Sequence, residues 1–166
     1  CFITVVLYLN LNSLKRLYVV GGILLFYYAC VMLIPVPGFG AGVLTPEGNL
    51  AGYVDRVLLP GKLHRIVYDP EGLLSTIPAI GSALLGVFAG QLLRNEKLAS
   101  VKKGIFITAS GMALLAAGLL WDIVFPFNKN MWTSSFVLFA GGWSMMLFAL
   151  FYFIIDVAGF KKWSMP

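Results

Sequence analysis

LLSTIPAIGSALLGVFAGQLL, residues 73 to 93, contains no charged side chain. Such a run matches the roughly 20 apolar residues that an α-helix needs to cross a bilayer. A membrane strand would instead alternate apolar and polar positions over about ten residues, and this stretch does not. The run therefore reads as a spanning helix. Just before it stands YDPEG, residues 68 to 72, with Asp69 and Glu71 on either side of a proline. Asp69 has the chemistry of an N-cap, Pro70 of a first helical residue and Glu71 of a first-turn acid. All three suit a helix start at the membrane surface.

Three further runs share this character: Leu17 to Ile34, closed by Pro35 and Pro37; Gly104 to Val124, with Asp122 near its end; and Met131 to Ile155, followed by Asp156. Hydrophobic residues make up 60% of the chain and charged ones only 11%, and the mean hydropathy is +0.89. A soluble domain is about a quarter charged. The expected fold is an all-α, polytopic membrane helix bundle of about four full spans. Cys1 to Leu11 is too short to cross and lacks the basic start of a signal peptide, so it reads as the tail of a preceding span. The chain opens and stops beside apolar runs without an initiating methionine. Residues 1–166 are therefore expected to form a single membrane domain within a larger multi-span protein. Cys1 and Cys30 lie in apolar runs without metal-ligand spacing and read as buried structural thiols.

The charges orient the bundle. Lys15 and Arg16 precede the first span, Arg94, Lys97, Lys102 and Lys103 join the second to the third, and Lys161 and Lys162 follow the fourth. All fall on one side if every run crosses, and short basic loops stay in the cytoplasm. The 35–72 connection and the 125–130 turn are then extracytoplasmic, and in a bacterium the membrane would be the inner one. The long outer connection suggests a short interfacial helix, with Thr45 as cap and Pro46 and Glu47 in its first turn. Leu50, Tyr53, Val54, Val57 and Leu58 recur at helical spacing and predict its buried face.

Two polar groups can carry chemistry on the outer side. One is Asp69 and Glu71. The other is FPFNKNMWTSSF, residues 125 to 136, which brings together Asn128, Lys129, Asn130, Trp132 and three hydroxyls. Carboxylates and amides converging above an apolar bundle suit sugar hydroxyls and amines. Capping explains part of this set: Asn130 is placed to cap the fourth span, and Trp132 fits an interfacial aromatic belt. The single histidine, His64, lies near Arg65 and Asp69 and reads first as a solvated loop residue, with a binding role as the alternative. On the inner side Arg94, Lys97, Lys102 and Lys103 satisfy the positive-inside rule and also offer an anion site for a phosphorylated carrier. Ser82, Gly86 and Gly90, four apart, predict close helix packing on the second span, as Ala140, Gly141, Gly142 and Ser144 do on the fourth. Small residues that leave room for a ligand are the other reading.

LIPVPGFGAGVLTPEGNLAGYVDRVLLPGKLHR, YDPEGLLSTIPAIGSALLGVFAGQLL and NKNMWTSSFVLFAGGW, taken together and in this order, resemble the heparan-alpha-glucosaminide N-acetyltransferase family, and its bacterial membrane acyltransferase relatives in particular. The resemblance implies a bundle of many membrane helices, of which this chain is a central to late part. It implies acetyl-CoA as cytoplasmic cosubstrate and a terminal glucosamine amine on the far side as acceptor. The family's catalytic histidine is expected N-terminal to the matched region, so His64 does not inherit that role and the piece alone is expected to be inactive. Partners to expect are the lipid bilayer, an amino-sugar acceptor, the remaining helices of the longer protein and, as an open option, a second copy; nothing points to nucleic acid. A transporter of an amino sugar is the rival reading, weakened by the lack of ionisable residues in mid-span. Two further alternatives are an O-acyltransferase acting on a polysaccharide and a purely structural helical scaffold.

Overall fold

The computed structural model describes residues 2–59 and 72–160. Among them it is all-helical: α1 Phe2–Asn10, α2 Ser13–Leu33, α3 Leu50–Leu58, α4 Thr76–Leu93, α5 Ser100–Asp122 and α6 Ser134–Tyr152, which continues into a π-helical turn at Phe153–Val157. Four segments are long and apolar enough to cross a membrane, namely α2, α4, α5 and α6 with its π turn. The expected four spans are therefore borne out. At 1.5 Å per residue the 21 residues of α2 cover about 32 Å, close to the hydrocarbon thickness of a bilayer.

The helix ends follow local chemistry. Asn12 caps α2 by accepting from Lys15 N at 2.9 Å, and α2 stops two residues before Pro35, which pushes its predecessor out of the helical region. Pro78 sits in the first turn of α4, where no intrahelical donor is lost. That helix starts at Thr76 with Ser75 in the cap position, so Leu73 to Ser75 form a turn and Asp69 is not the cap of the second span.

The tightest helix pair is α5 with α6, and glycine makes it so. A Cβ on Gly118 would lie 2.8 Å from Phe139 N, and one on Gly142 would lie 2.7 Å from Leu115 N and 2.8 Å from Gly111 O. Backbone thus meets backbone, as lipid-embedded helices do where dispersion replaces the hydrophobic drive. Gly104, Gly111 and Gly118 are seven apart, which keeps them on one seam of a slightly supercoiled pair. Of the two small-residue sets expected to pack closely, the one on α6 does so through Gly142, and the one on α4 does not. There the packing expectation fails: a Cβ on Gly86 or Gly90 would meet nothing within 4 Å. Leu84 and Leu85, on the neighbouring face, enter the core with Val20, Leu24, Ile107, Val137, Met145 and Ala149, and the small-residue strip is left open.

The remaining core lies at the loop end, where Tyr27, Val31, Phe125 and Met131 pack together. Large apolar residues on the outer faces of the spans, among them Phe26, Phe106, Leu120, Leu147 and Leu150, stay exposed within the bundle. In water such faces would aggregate, whereas in lipid they are the expected surface. Cys30 is a free thiol and only half-buried, less enclosed than its apolar setting suggested.

Candidate functional site

The helices run so that the polar loops gather at one end of the bundle, with Arg56 and Lys129 among them, and the helix ends bearing Arg16, Arg94, Lys102 and Lys103 lie at the other. At the loop end, Tyr27 Oη of α2 donates to Met131 O at 2.5 Å. Gly42 N donates to Val31 O, folding the 35–49 connection back onto the end of α2. Gly38, Gly40 and Gly42 all have positive φ there. At the basic end Lys103 Nζ of α5 donates to Leu93 O, the last residue of α4, at 2.7 Å.

Helix α3 differs from its sequence-based description. Thr45 Oγ1 accepts from Gly48 N and its carbonyl accepts from Asn49 N, closing one isolated turn. Asn49 then resets the chain to an extended conformation and caps α3, accepting from Gly52 N at 2.7 Å. Its amide donates to Thr45 O and Pro46 O. The buried face is Leu50, Ala51, Gly52 and Asp55, while Val57 and Leu58 are each 62% exposed. The apolar stripe therefore predicted the buried face only in part: Leu50 is buried and Tyr53 and Val54 half-buried, but Val57 and Leu58 point away and Asp55 goes in. Small residues let α3 lie close against the bundle, and the acid on their side goes in with them.

Asp55 is fully buried and accepts from Leu73 N at 3.0 Å. A side chain on Gly72 would run into the Asp55 carboxylate, so only glycine fits there. Two of the sequence motifs, AGYVDR and YDPEGLL, thus meet at Asp55, Gly72 and Leu73. Asp55 was not among the candidate residues read from sequence. An acid on the small-residue face of a helix, rather than on its charged face, was the signal that could have found it. Asp69, Glu71 and His64 lie outside the described residues.

The 125–133 loop is held from within. Asp122 Oδ1 accepts from Phe127 N at 2.6 Å. Asn128 Oδ1 accepts from Asn130 N and Met131 N, and Asn128 N donates to Thr133 Oγ1. Ser134 Oγ donates to Leu24 O, and Ser135 Oγ to Phe125 O. The three buried hydroxyls of Thr133, Ser134 and Ser135 are thus taken up by the fold. Asn130 does not cap α6, whose cap position is Thr133. Lys129 and Asn130 are exposed, free to meet a ligand from solution. Trp132 holds φ at 55°, the left-handed region that a bulky residue rarely adopts. The bend carries its indole across to α4, where Nε1 donates to Ser82 Oγ at 3.0 Å.

Below that indole runs the open strip of α4. A groove of about 490 Å³ is lined by Ser82, Gly86 and Gly90 of α4, by Gly141 and Ser144 of α6, and by Trp132 at the loop side. From Ser82 to Gly90 the helix rises about 12 Å, so the groove runs lengthwise along the bundle.

The four basic candidates do not share one recess. Arg94 lines a small recess with Tyr8 and Gln91. Lys103 lines another with Tyr152 and Asp156. Lys97 and Lys102 are exposed nearby in sequence. Sequence reasoning also treated Arg16 as a loop charge, yet it is only 4% exposed.

No family model matches the chain. The human heparan-alpha-glucosaminide N-acetyltransferase is 32% identical to it over 160 residues, covering 76% of this chain and 24% of that protein. The mouse heparan-alpha-glucosaminide N-acetyltransferase is 30% identical over 167 residues, covering 80% of this chain and 25% of that protein. The chain thus spans about a quarter of the length of the curated relatives it matches. The spanning helices, read with these relatives, make it an integral membrane protein. Over that quarter, the chain belongs to the heparan-alpha-glucosaminide N-acetyltransferase family.

Proposed function

We propose that this chain is the central to late part of a transmembrane acyltransferase. The enzyme moves acetyl from cytoplasmic acetyl-CoA to the amine of a glucosamine-type sugar on the extracytoplasmic side. The observation that carries the reading is the match to relatives named for N-acetyl transfer to a glucosaminide. The fold supports it in three places. Basic side chains gather at one end, polar loops gather at the other, and a groove lined by small residues runs between α4 and α6. By the positive-inside rule the basic end is cytoplasmic and the loops are extracytoplasmic; in a bacterium the membrane is the inner one.

Acetyl-CoA supplies an activated thioester. Its phosphates suit Arg94, Lys97, Lys102 and Lys103 as counter-charges, and its narrow acyl-bearing arm suits the groove. A protonated amine is not a nucleophile, so a base must remove a proton before transfer. Asp69 and Glu71 are the candidates, in the segment directly before Gly72. Asp55, by holding Leu73 N, acts as a positioning residue for that segment. Asn128, Lys129, Asn130 and Trp132 form the opposite polar wall, and His64 is a further candidate contact for the sugar. The catalytic histidine of the family lies outside the chain, which is inactive alone.

The test uses the full-length protein in proteoliposomes, with acetyl-CoA on one side and glucosamine on the other. Acetylated product should appear only with both present. Asp69→Asn or Glu71→Gln should cut turnover at least tenfold, as general-base removal does. Unchanged turnover in both variants would remove the two carboxylates from the mechanism. Glucosamine uptake without acetyl-CoA, and no acetylated product, would show a transporter instead.

A further inference from the structure

At the basic end of the bundle a guanidinium is buried without a counter-charge among the described residues. Arg16 is 4% exposed. With the Gln91 amide turned so that its oxygen faces Arg16, the orientation that satisfies both groups, Nη1 and Nη2 donate to that oxygen at 3.0 and 2.9 Å. Nη2 also donates to Ser13 Oγ at 3.1 Å, and the group lies 4.9 Å above the Tyr8 ring. Nε is buried and has no partner. A guanidinium carries five N–H donors; here neutral oxygens and a ring receive some, and no carboxylate of the described residues is paired with it. Burying a charge in this way is costly unless an opposite charge joins it.

The structure also provides a place for that charge. Thr4, Val5 and Tyr8 of α1 with Val87, Gly90, Gln91 and Arg94 of α4 line a recess of about 260 Å³. Tyr8 and Gln91 are both walls of this recess and the groups that touch Arg16, so the guanidinium lies directly behind it. Arg94 adds a positive charge in the lining itself, which holds no acid among the described residues. The recess opens between helices beside an apolar flank, with Ile3 50% and Val5 53% exposed. Arg16 lies only three residues into α2, near headgroup depth.

We propose that this recess binds the phosphate of a phosphate-bearing anion, taken from the bilayer as an anionic phospholipid headgroup. Arg94 and the Gln91 amide meet the phosphate, and Arg16 neutralises it from behind. Swinging Gln91 aside would expose the planar guanidinium fork, whose geometry matches phosphate oxygens. The recess shares Arg94 with the acyl-transfer reading, and Gly90 lines both it and the α4–α6 groove; Arg16 belongs to this proposal alone, so its variants separate the two.

The experiment takes the full-length protein in nanodiscs of phosphatidylcholine, with and without phosphatidylglycerol, and counts retained lipids by native mass spectrometry. A parallel arm adds inorganic pyrophosphate to protein in neutral detergent and follows thermal unfolding. The expected result is retention of phosphatidylglycerol over phosphatidylcholine by about tenfold, roughly the worth of one charge-assisted hydrogen bond. Arg94→Gln should reduce that preference, Arg16→Gln should abolish it, and Arg16→Lys should restore it in part. Arg94 is exposed, so its variant tests the site even if Arg16→Gln fails to fold. Stabilisation by pyrophosphate without lipid retention would keep the phosphate site and assign it to a soluble source. Equal retention of both lipids in wild-type protein, with no effect of pyrophosphate, would overturn the proposal.

Discussion

Gly142→Ala is the sharpest test of how the bundle is held together. The added methyl would lie 2.7 Å from Leu115 N and 2.8 Å from Gly111 O, where ordinary contact begins near 3.4 Å. It falls short by about 0.7 Å at two atoms of the facing backbone, which no rotamer change can move. Helices α5 and α6 must therefore part along the seam. Overpacking of this kind costs about 1–3 kcal/mol. Gly86→Ala provides the control, because its methyl meets nothing within 4 Å. It should leave stability unchanged or raise it by up to about 1 kcal/mol through helix propensity. Unfolding of the full-length protein by titration with a denaturing detergent, read by helix circular dichroism, measures both. A Gly142→Ala protein as stable as wild type would show that the two backbones do not touch. Equal losses in both variants would show that the α4 strip is packed rather than open.

The open groove makes a second prediction. Gly90→Leu should fill part of the 490 Å³ space and lower acetyl transfer while leaving unfolding nearly unchanged; an assay with acetyl-CoA and glucosamine checks the first and a detergent titration the second. The Trp132 Nε1 to Ser82 Oγ bond should show a coupling of about 0.5–1.5 kcal/mol in a double-mutant cycle of Trp132→Phe and Ser82→Ala, the usual range for interhelical hydrogen bonds in membranes. Asp55→Ala removes the acceptor of Leu73 N and should destabilise the protein by about 1–3 kcal/mol. Hydrogen exchange at Leu73 should accelerate with it, and unchanged exchange there would mean that the turn before α4 is held by something else.

Length and hydropathy were enough to determine the spanning helices, because a bilayer demands uninterrupted apolar runs and internally satisfied backbone. Charge placement separated a basic end from a polar-loop end for a similar reason, since connections that alternate sides sort their residues by parity. Helix starts were less legible. Thr45 and Asp69 both carry the right side chain for a cap, yet Asn49 and Ser75 occupy the cap positions of α3 and α4, because capping motifs recur at every turn and only the neighbouring backbone selects one. Which glycines bring helices together was decided by the tertiary structure alone. Gly86 and Gly142 look alike in sequence, but one faces open space and the other the backbone of α5. The same holds for buried charge. Asp55 and Arg16 are ordinary loop-side residues in one dimension, and they become the enclosed ions of this fold because packing, rather than local pattern, determines what each helix face meets.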